Sequence, residues 1–182
     1  LAHAKGAYLY ADAIQAFGTF STNLHDEGVD FACGNGYKWL FADFGCAPFY
    51  VARKHLEWMA PDRYGHAQVA ENLPDHRFRL ETSAEKFEYA NVSYGAMAAM
   101  DAALTVLEGV GLDPIEQHTV LLAGELRAEV ADLGLDLFTP PDNTSPIVSF
   151  YHGLDPETLL NALRADNVSF TFQEEGKLLR AA

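Results

Sequence analysis

The chain of 182 residues is 49% hydrophobic and 21% charged, an ordinary globular composition with material for one sizeable core or two small ones. Twelve basic against 26 acidic side chains give a formal charge of −14, which repels nucleic acid and anionic lipid and leaves no basic stripe for phosphate backbones. No apolar run approaches the roughly 18–20 residues that cross a bilayer, and "LAHAKGAYLYADA" lacks a signal-peptide layout, so the expected location is the cytoplasm.

Taken in order, "AYLYADA" (7–13) is β-prone and apolar until Asp12, the pattern of a parallel strand covered on both faces. "FACGNG" (31–36) predicts a second short strand ending in glycines, and "CAPFYVAR" (46–53) a third, with the Lys38 loop between them. Residues 59–86 are polar and weakly periodic, with two prolines, and predict a long excursion over the surface. "GAMAAMDAALTVLEGVG", from Gly95, carries small and apolar residues at helical spacing and stops at glycine. Asp113 and Pro114 then predict an N-cap and first helical position for a second helix to about Leu133. Strand (145–152), helix (155–166), strand (167–173) and the strand "KLLRAA" complete an expected α+β unit, with a domain boundary near 107–113.

Cys33 and Cys46 are the only cysteines, too few for a disulfide framework, and the seven scattered histidines show no metal-ligand spacing. No metal site is expected. The abrupt opening on Leu1 and the apolar ending at "GKLLRAA" suggest a piece of a longer chain.

Three side chains converge in pattern. Asp12 closes a strand, Gln15 follows three residues on, and Lys38 lies in a glycine-loosened apolar loop after the next strand. Strand carboxyl ends in open α/β sheets are where ligands sit. A carboxylate buried there needs a positive partner, which a protonated pyridine nitrogen supplies, and a desolvated lysine attacks carbonyls. Such a set describes a pyridoxal phosphate pocket. Two plainer readings stay open: Asp12 as a cap for "AIQAFG", and Lys38 as a loop lysine extended into solvent.

The stretch "GAYLYADAIQAFG…GVDFACGNGYKWLFADFGCAPFYVARK" (6–54) resembles the central segment of the class V aminotransferase family, fold type I pyridoxal phosphate enzymes that include kynureninases, cysteine desulfurases and isopenicillin N epimerase-like proteins. "FEYANVSYGAMAAMDAALTVLEGVG" resembles the family's next segment and "KLLRAA" its substrate-carboxylate strand. The resemblance implies an α/β fold: 1–110 as the C-terminal half of a mostly parallel cofactor-binding sheet domain, and 111–182 as an incomplete small α+β domain. It implies pyridoxal 5'-phosphate as cofactor, Lys38 as the Schiff-base lysine, Asp12 at the pyridine nitrogen and Gln15 at the ring's 3-oxygen. Asn35 and Tyr37, where relatives often carry serine and histidine, would contact the phosphate. Asn91 would reach the phosphate of a neighbouring subunit, and Arg180 would fork onto the substrate α-carboxylate. The implied partners are an amino acid substrate and a second copy in a homodimer.

Two departures shape the expected chemistry. The mobile nucleophilic cysteine of desulfurases, between the lysine segment and the final arginine, has no counterpart, because Cys33 precedes Lys38 and Cys46 opens an apolar strand. Transamination, epimerisation and side-chain lyase chemistry stay open. The phosphate loop and ring-stacking residue of the family's N-terminal half are not among these residues. The alternative expectation is therefore a truncated or non-catalytic subunit that keeps the fold and depends on that half for activity.

Overall fold

The computed structural model describes residues 1–182, which divide into two compact units, Leu1–Asp113 and Pro114–Ala182. In the first, β1 (Tyr10–Asp12), β2 (Phe31–Cys33) and β3 (Phe49–Val51) form a sheet in that order. β1 and β2 run parallel with Asp12 opposite Cys33, whereas β3 returns antiparallel with Phe49 opposite Cys33. Ala32 is fully buried at the centre of the sheet, and a small core of Ala13, Val29 and Ala32 gathers Phe17, Leu24 and Tyr50.

β1 departs from the expectation of a strand covered on both faces. It is an edge strand, and Tyr8, Leu9 and Tyr10 are exposed, Tyr10 by 56%. An apolar run reports a surface that wants cover; here Ala13 finds it in the core and Tyr8 in part against Trp58, while Tyr10 stays open.

The sheet is tied together by Asp30, 0% exposed at the entrance to β2. Its Oδ2 accepts from the Leu9 backbone N–H at 2.8 Å and from His3 Nε2 at 2.6 Å. Its Oδ1 accepts from Lys54 Nζ at 2.8 Å and His55 Nε2 at 2.7 Å. His55 Nδ1 accepts from the Trp58 indole N–H at 3.1 Å, so its hydrogen sits on Nε2 and points at the carboxylate. The His55 ring stacks on Phe31, and Trp58 stacks on Tyr8 with centroids 5.7 Å apart. Histidines scattered in sequence thus converge on one acid.

Residues 59–86 are more ordered than an irregular excursion. β4 (Val69–Asn72) and β5 (Phe78–Leu80) pair antiparallel with a bulge between Val69 and Glu71. The organiser is Gln68, fully buried: its Oε1 accepts from the Gly65 N–H, and its Nε2 donates to the carbonyls of Arg63 and Lys86. A polar side chain satisfied on both ends replaces the apolar periodicity that would have marked the segment as folded.

α1 (Tyr94–Val110) starts at the Ser93 N-cap and buries Ala96, Met100 and Leu107 on one face. Gly111, at φ 90°, ends it. α2 (Leu112–Asp132) begins earlier than expected: Asp113 and Pro114 lie inside its first turn, where proline costs no hydrogen bond because those N–H groups have no intrahelical partner.

In the second unit, β6 (Asp136–Leu137), β7 (Val148–Tyr151), β9 (Leu178–Ala181) and β8 (Thr171–Gln173) form an antiparallel sheet in the order β6-β7-β9-β8. Its inner face and α2 enclose Ala123, Val130, Val148, Phe150 and Leu179. α3 (Pro156–Ala165) is capped by Asp155, whose carboxylate accepts from the Thr158 N–H at 2.9 Å. The β8–β9 turn carries three successive left-handed residues, Glu174, Glu175 and Gly176. Tyr151 Oη donates to Glu174 Oε2 at 2.9 Å, and His152 Nε2 donates to the Gly176 carbonyl at 2.6 Å, so the end of β7 holds the turn.

The hydrogen bonds from His55, then Lys54, the Leu9 N–H and His3, hold the Asp30 carboxyl far below the usual carboxylate range against the opposing effect of burial. A depressed folded-state pKa means that this contribution to stability is complete above the unfolded value of about 4 and drains away as pH falls below it. Asp30→Asn is expected to lower stability at pH 7 and to flatten the acid limb of the pH–stability curve. Denaturant titrations from pH 7 to 3 check this, and identical acid slopes for the two proteins would refute it.

Candidate functional site

Because β1 and β2 are parallel, the loops that follow Asp12 and Cys33 leave the same edge of the sheet. The Ala13 N–H donates to the Cys33 carbonyl at 2.7 Å, extending the ladder one step past the strand. Asp12 is exposed rather than buried, and its Oδ1 accepts from the Ile14 N–H at 3.1 Å. The capping role is thus realised through one oxygen, while Oδ2 takes no hydrogen bond from the chain. Helical turns then run from Ala13 to Phe20.

Gln15 bridges the two loops: its Oε1 accepts from the Trp39 indole N–H at 3.1 Å, leaving its amide N–H groups open. Gly18, at φ +85°, brings the same turn against Trp39 so closely that a Cβ there would lie 2.3 Å from the Trp39 carbonyl oxygen. Gly34 gives way to Phe17, where a Cβ would meet the ring at 2.5 Å, and the Gly36 N–H donates to the Cys46 carbonyl at 3.0 Å. These contacts lock the Lys38 loop onto the loop after β1.

Lys38 is half-buried; its carbonyl accepts from the Phe41 N–H at 2.9 Å, closing a turn. Its ammonium has neither a hydrogen bond nor an ion-pair partner in the chain. Asn35 is half-buried and its Oδ1 is a buried acceptor without a partner. Tyr37 is exposed and stacks on Phe44 with centroids 4.5 Å apart. Asp12, at the end of β1, and Gln15, Asn35, Tyr37 and Lys38, on the loops that follow β1 and β2, therefore all lie at one end of the sheet.

Asn91 is exposed just before α1, with its Oδ1 3.2 Å from His66 Nε2. Arg180 belongs to the second unit: half-buried on β9, in register with Ser149 on β7 and Thr171 on β8, and without a salt bridge. Sequence reasoning missed Trp39 and Gly18, which hold the loops together. Each stands within a quoted motif, G-Y-K-W-L and D-A-I-Q-A-F-G, but nothing in either motif pairs it with the other.

A family model described as aminotransferase class-V matches residues 1–172. The chain is 30% identical over 129 residues to a kynureninase from Mus musculus, covering 69% of this chain and 28% of that protein. It is 25% identical over 183 residues to a cysteine desulfurase from Haloferax volcanii, covering 100% of this chain and 41% of that protein. An apo cysteine desulfurase from Thermococcus onnurineus NA1 superposes with a TM-score of 0.85 at 20% identity, over 99% of this chain and 48% of that one. An alanine–glyoxylate aminotransferase from Nostoc sp. does so with a TM-score of 0.71 at 21% identity, over 98% and 48%. These structural likenesses show the fold, that of the fold type I enzymes. The chain spans less than half the length of the relatives it matches.

Gly18→Ala is expected to destabilise the protein by at least about 2 kcal/mol, since it adds a clash with a fixed carbonyl to the left-handed backbone. Gly6→Ala is the control: it shares the positive φ, with nothing within 4 Å of its Cβ, and should cost about 1 kcal/mol. Urea titrations giving the two variants equal losses would discount the contact with Trp39.

Proposed function

The chain belongs to the class V aminotransferase family of pyridoxal phosphate enzymes, and from that premise we propose that it binds this cofactor through Lys38 and acts on an amino acid. The observation that carries the reading is the unpartnered Lys38 amine on a loop fastened, through Trp39 and Gln15, to a strand that ends in a free carboxylate oxygen.

The residues fit the group chemically. Lys38 Nζ is available to hold the aldehyde carbon. Asp12 Oδ2 is an open acceptor for a protonated ring nitrogen, and the Gln15 amide is an open donor for the ring's 3-oxygen. Asn35 and Tyr37 supply an amide and a phenol for the phosphate, and the orphaned Asn35 acceptor marks polar surface that the chain itself leaves unsatisfied. Asn91 is assigned to the phosphate of a second subunit and Arg180 to the substrate carboxylate, with a homodimer as the working assembly. When bound, the cofactor supplies an electron sink for charge developing at the substrate α-carbon. The protein's part is to present the Asp12 carboxylate to the ring nitrogen, to orient the ring through Gln15, and to move the α-proton at Lys38 Nζ.

Desulfurase chemistry is set aside. Cys33 lies on β2, half-buried within the sheet ladder opposite Asp12 and Phe49. The Cys46 thiol points at Met97 Sδ, 3.7 Å away. Neither is a mobile nucleophile. Amino transfer, epimerisation and side-chain lyase chemistry all begin with the same proton at the same lysine. A companion reading, in which these residues complete their pocket only with further polypeptide, is favoured by the exposed Tyr8, Leu9 and Tyr10 along the open edge of β1.

Full-length protein mixed with pyridoxal 5'-phosphate is expected to develop a visible absorbance band that borohydride fixes onto Lys38, read as a mass increment on the peptide spanning residues 35–45. Lys38→Ala should abolish both signals. A band that survives that substitution would defeat the assignment.

A further inference from the structure

Lys86 is 7% exposed, yet it has no carboxylate partner. Its ammonium donates to the Leu56 carbonyl and stands 5.3 Å from the Phe87 ring centroid, which leaves two of its three hydrogens without an acceptor. Lysines are almost never buried unless paired, because an ammonium withdrawn from water needs compensating negative charge.

The same side chain lines a groove of about 620 Å³ together with Arg53, Leu56, Trp58, Tyr64 and Leu80. That volume suits a small organic ligand. Arg53 adds a second cation that forms no ion pair. Trp58 offers a prearranged aromatic wall: stacking on Tyr8 and the bond from its indole to His55 fix its plane, while 55% of it stays exposed. Glu57 and Glu81 also line the groove, but neither pairs with Lys86 or Arg53, and both keep contact with water. The buried, uncompensated charge is therefore the cation.

We propose that this groove binds a small aromatic carboxylate, its oxygens taking the two open Lys86 hydrogens and its ring lying along Trp58. None of the lining residues is among those assigned to the cofactor or the substrate carboxylate, so this site stands or falls independently of that assignment.

The test uses phenylacetate and its neutral isostere phenylacetamide, read by tryptophan emission. Phenylacetate should quench emission saturably and bind at least about ten-fold more tightly than phenylacetamide. Trp58→Phe should remove the quench although Trp39 remains. Lys86→Met, which keeps the length of the side chain and removes its charge, should weaken phenylacetate about ten-fold and leave phenylacetamide unchanged. If that variant does not fold, the comparison of the two probes on unmodified protein still decides. Equal affinity for both probes would overturn the proposal. So would an absence of quenching combined with a Lys86→Met change in the monomer–dimer equilibrium by light scattering, which would give the groove to a second copy of the chain.

Discussion

One buried carboxylate sets the geometry of the N-terminal unit. Asp30 binds the N-terminal segment through His3, the approach to β1 through the Leu9 N–H, and the end of β3 through Lys54 and His55. An ionised carboxylate at zero exposure persists only where donors surround it, so these segments are held together or the charge is left uncompensated. β1 is held otherwise on one side alone, by its ladder to β2, because it lies at the edge of the sheet with Tyr10 in solvent. Asp12 ends that strand. The position of the acid assigned to the ring nitrogen therefore depends on a carboxylate that never meets the cofactor, and the bond from His55 to Trp58 carries the same order into the groove beside Lys86.

The site loops obey a second constraint, one of space. Gly18 and Gly34 let the turn after β1 and the loop after β2 approach at distances no side chain permits, and the hydrogen bond between Gln15 and Trp39 fixes their alignment. Polar groups that the chain leaves open, the Lys38 amine, the second oxygen of Asp12 and the Asn35 acceptor, thereby rest on a backbone with little freedom to rearrange. Preorganisation of this kind keeps a binding group from being lost to internal partners.

What the residues announced and what they hid follow one physical division. Local pattern carried the three helices and the strands β7, β8 and β9, because α1 and β7 bury one face or one run of apolar side chains and α3 turns Leu159 toward the core; the two-residue β6 is too short to leave a pattern. It also carried Asp12, Gln15 and Lys38, which stand within short motifs. It did not carry Asp30, Gln68 or Lys86, whose partners lie elsewhere along the chain: His3 and His55 for the first, Lys86 for the second, Leu56 for the third. A polar residue reads as surface until its distant partner is known, so residues 59–86 looked irregular although Gln68 organises them. The start of α2 was misplaced for a smaller reason: Asp and Pro suit both the cap and the first turn, and only Gly111 separates the two helices.

The turn between β8 and β9 constrains the register of Arg180. Glu174 and Glu175 both hold left-handed backbone, against the preference of a residue with a Cβ, and Gly176 leaves no room for a Cβ beside Pro156. The β8–β9 ladder, the Lys177 N–H on the Glu174 carbonyl and the clasp from Tyr151 and His152 keep the segment closed. Position 175 is thus tolerant in chemistry and strict in shape: asparagine, aspartate or glycine there would relax the corner, whereas valine or isoleucine would strain it, and Glu174 alone answers to polarity as well, through Tyr151. Room for mutational drift at 175 is set by torsion angle, and polarity hardly enters.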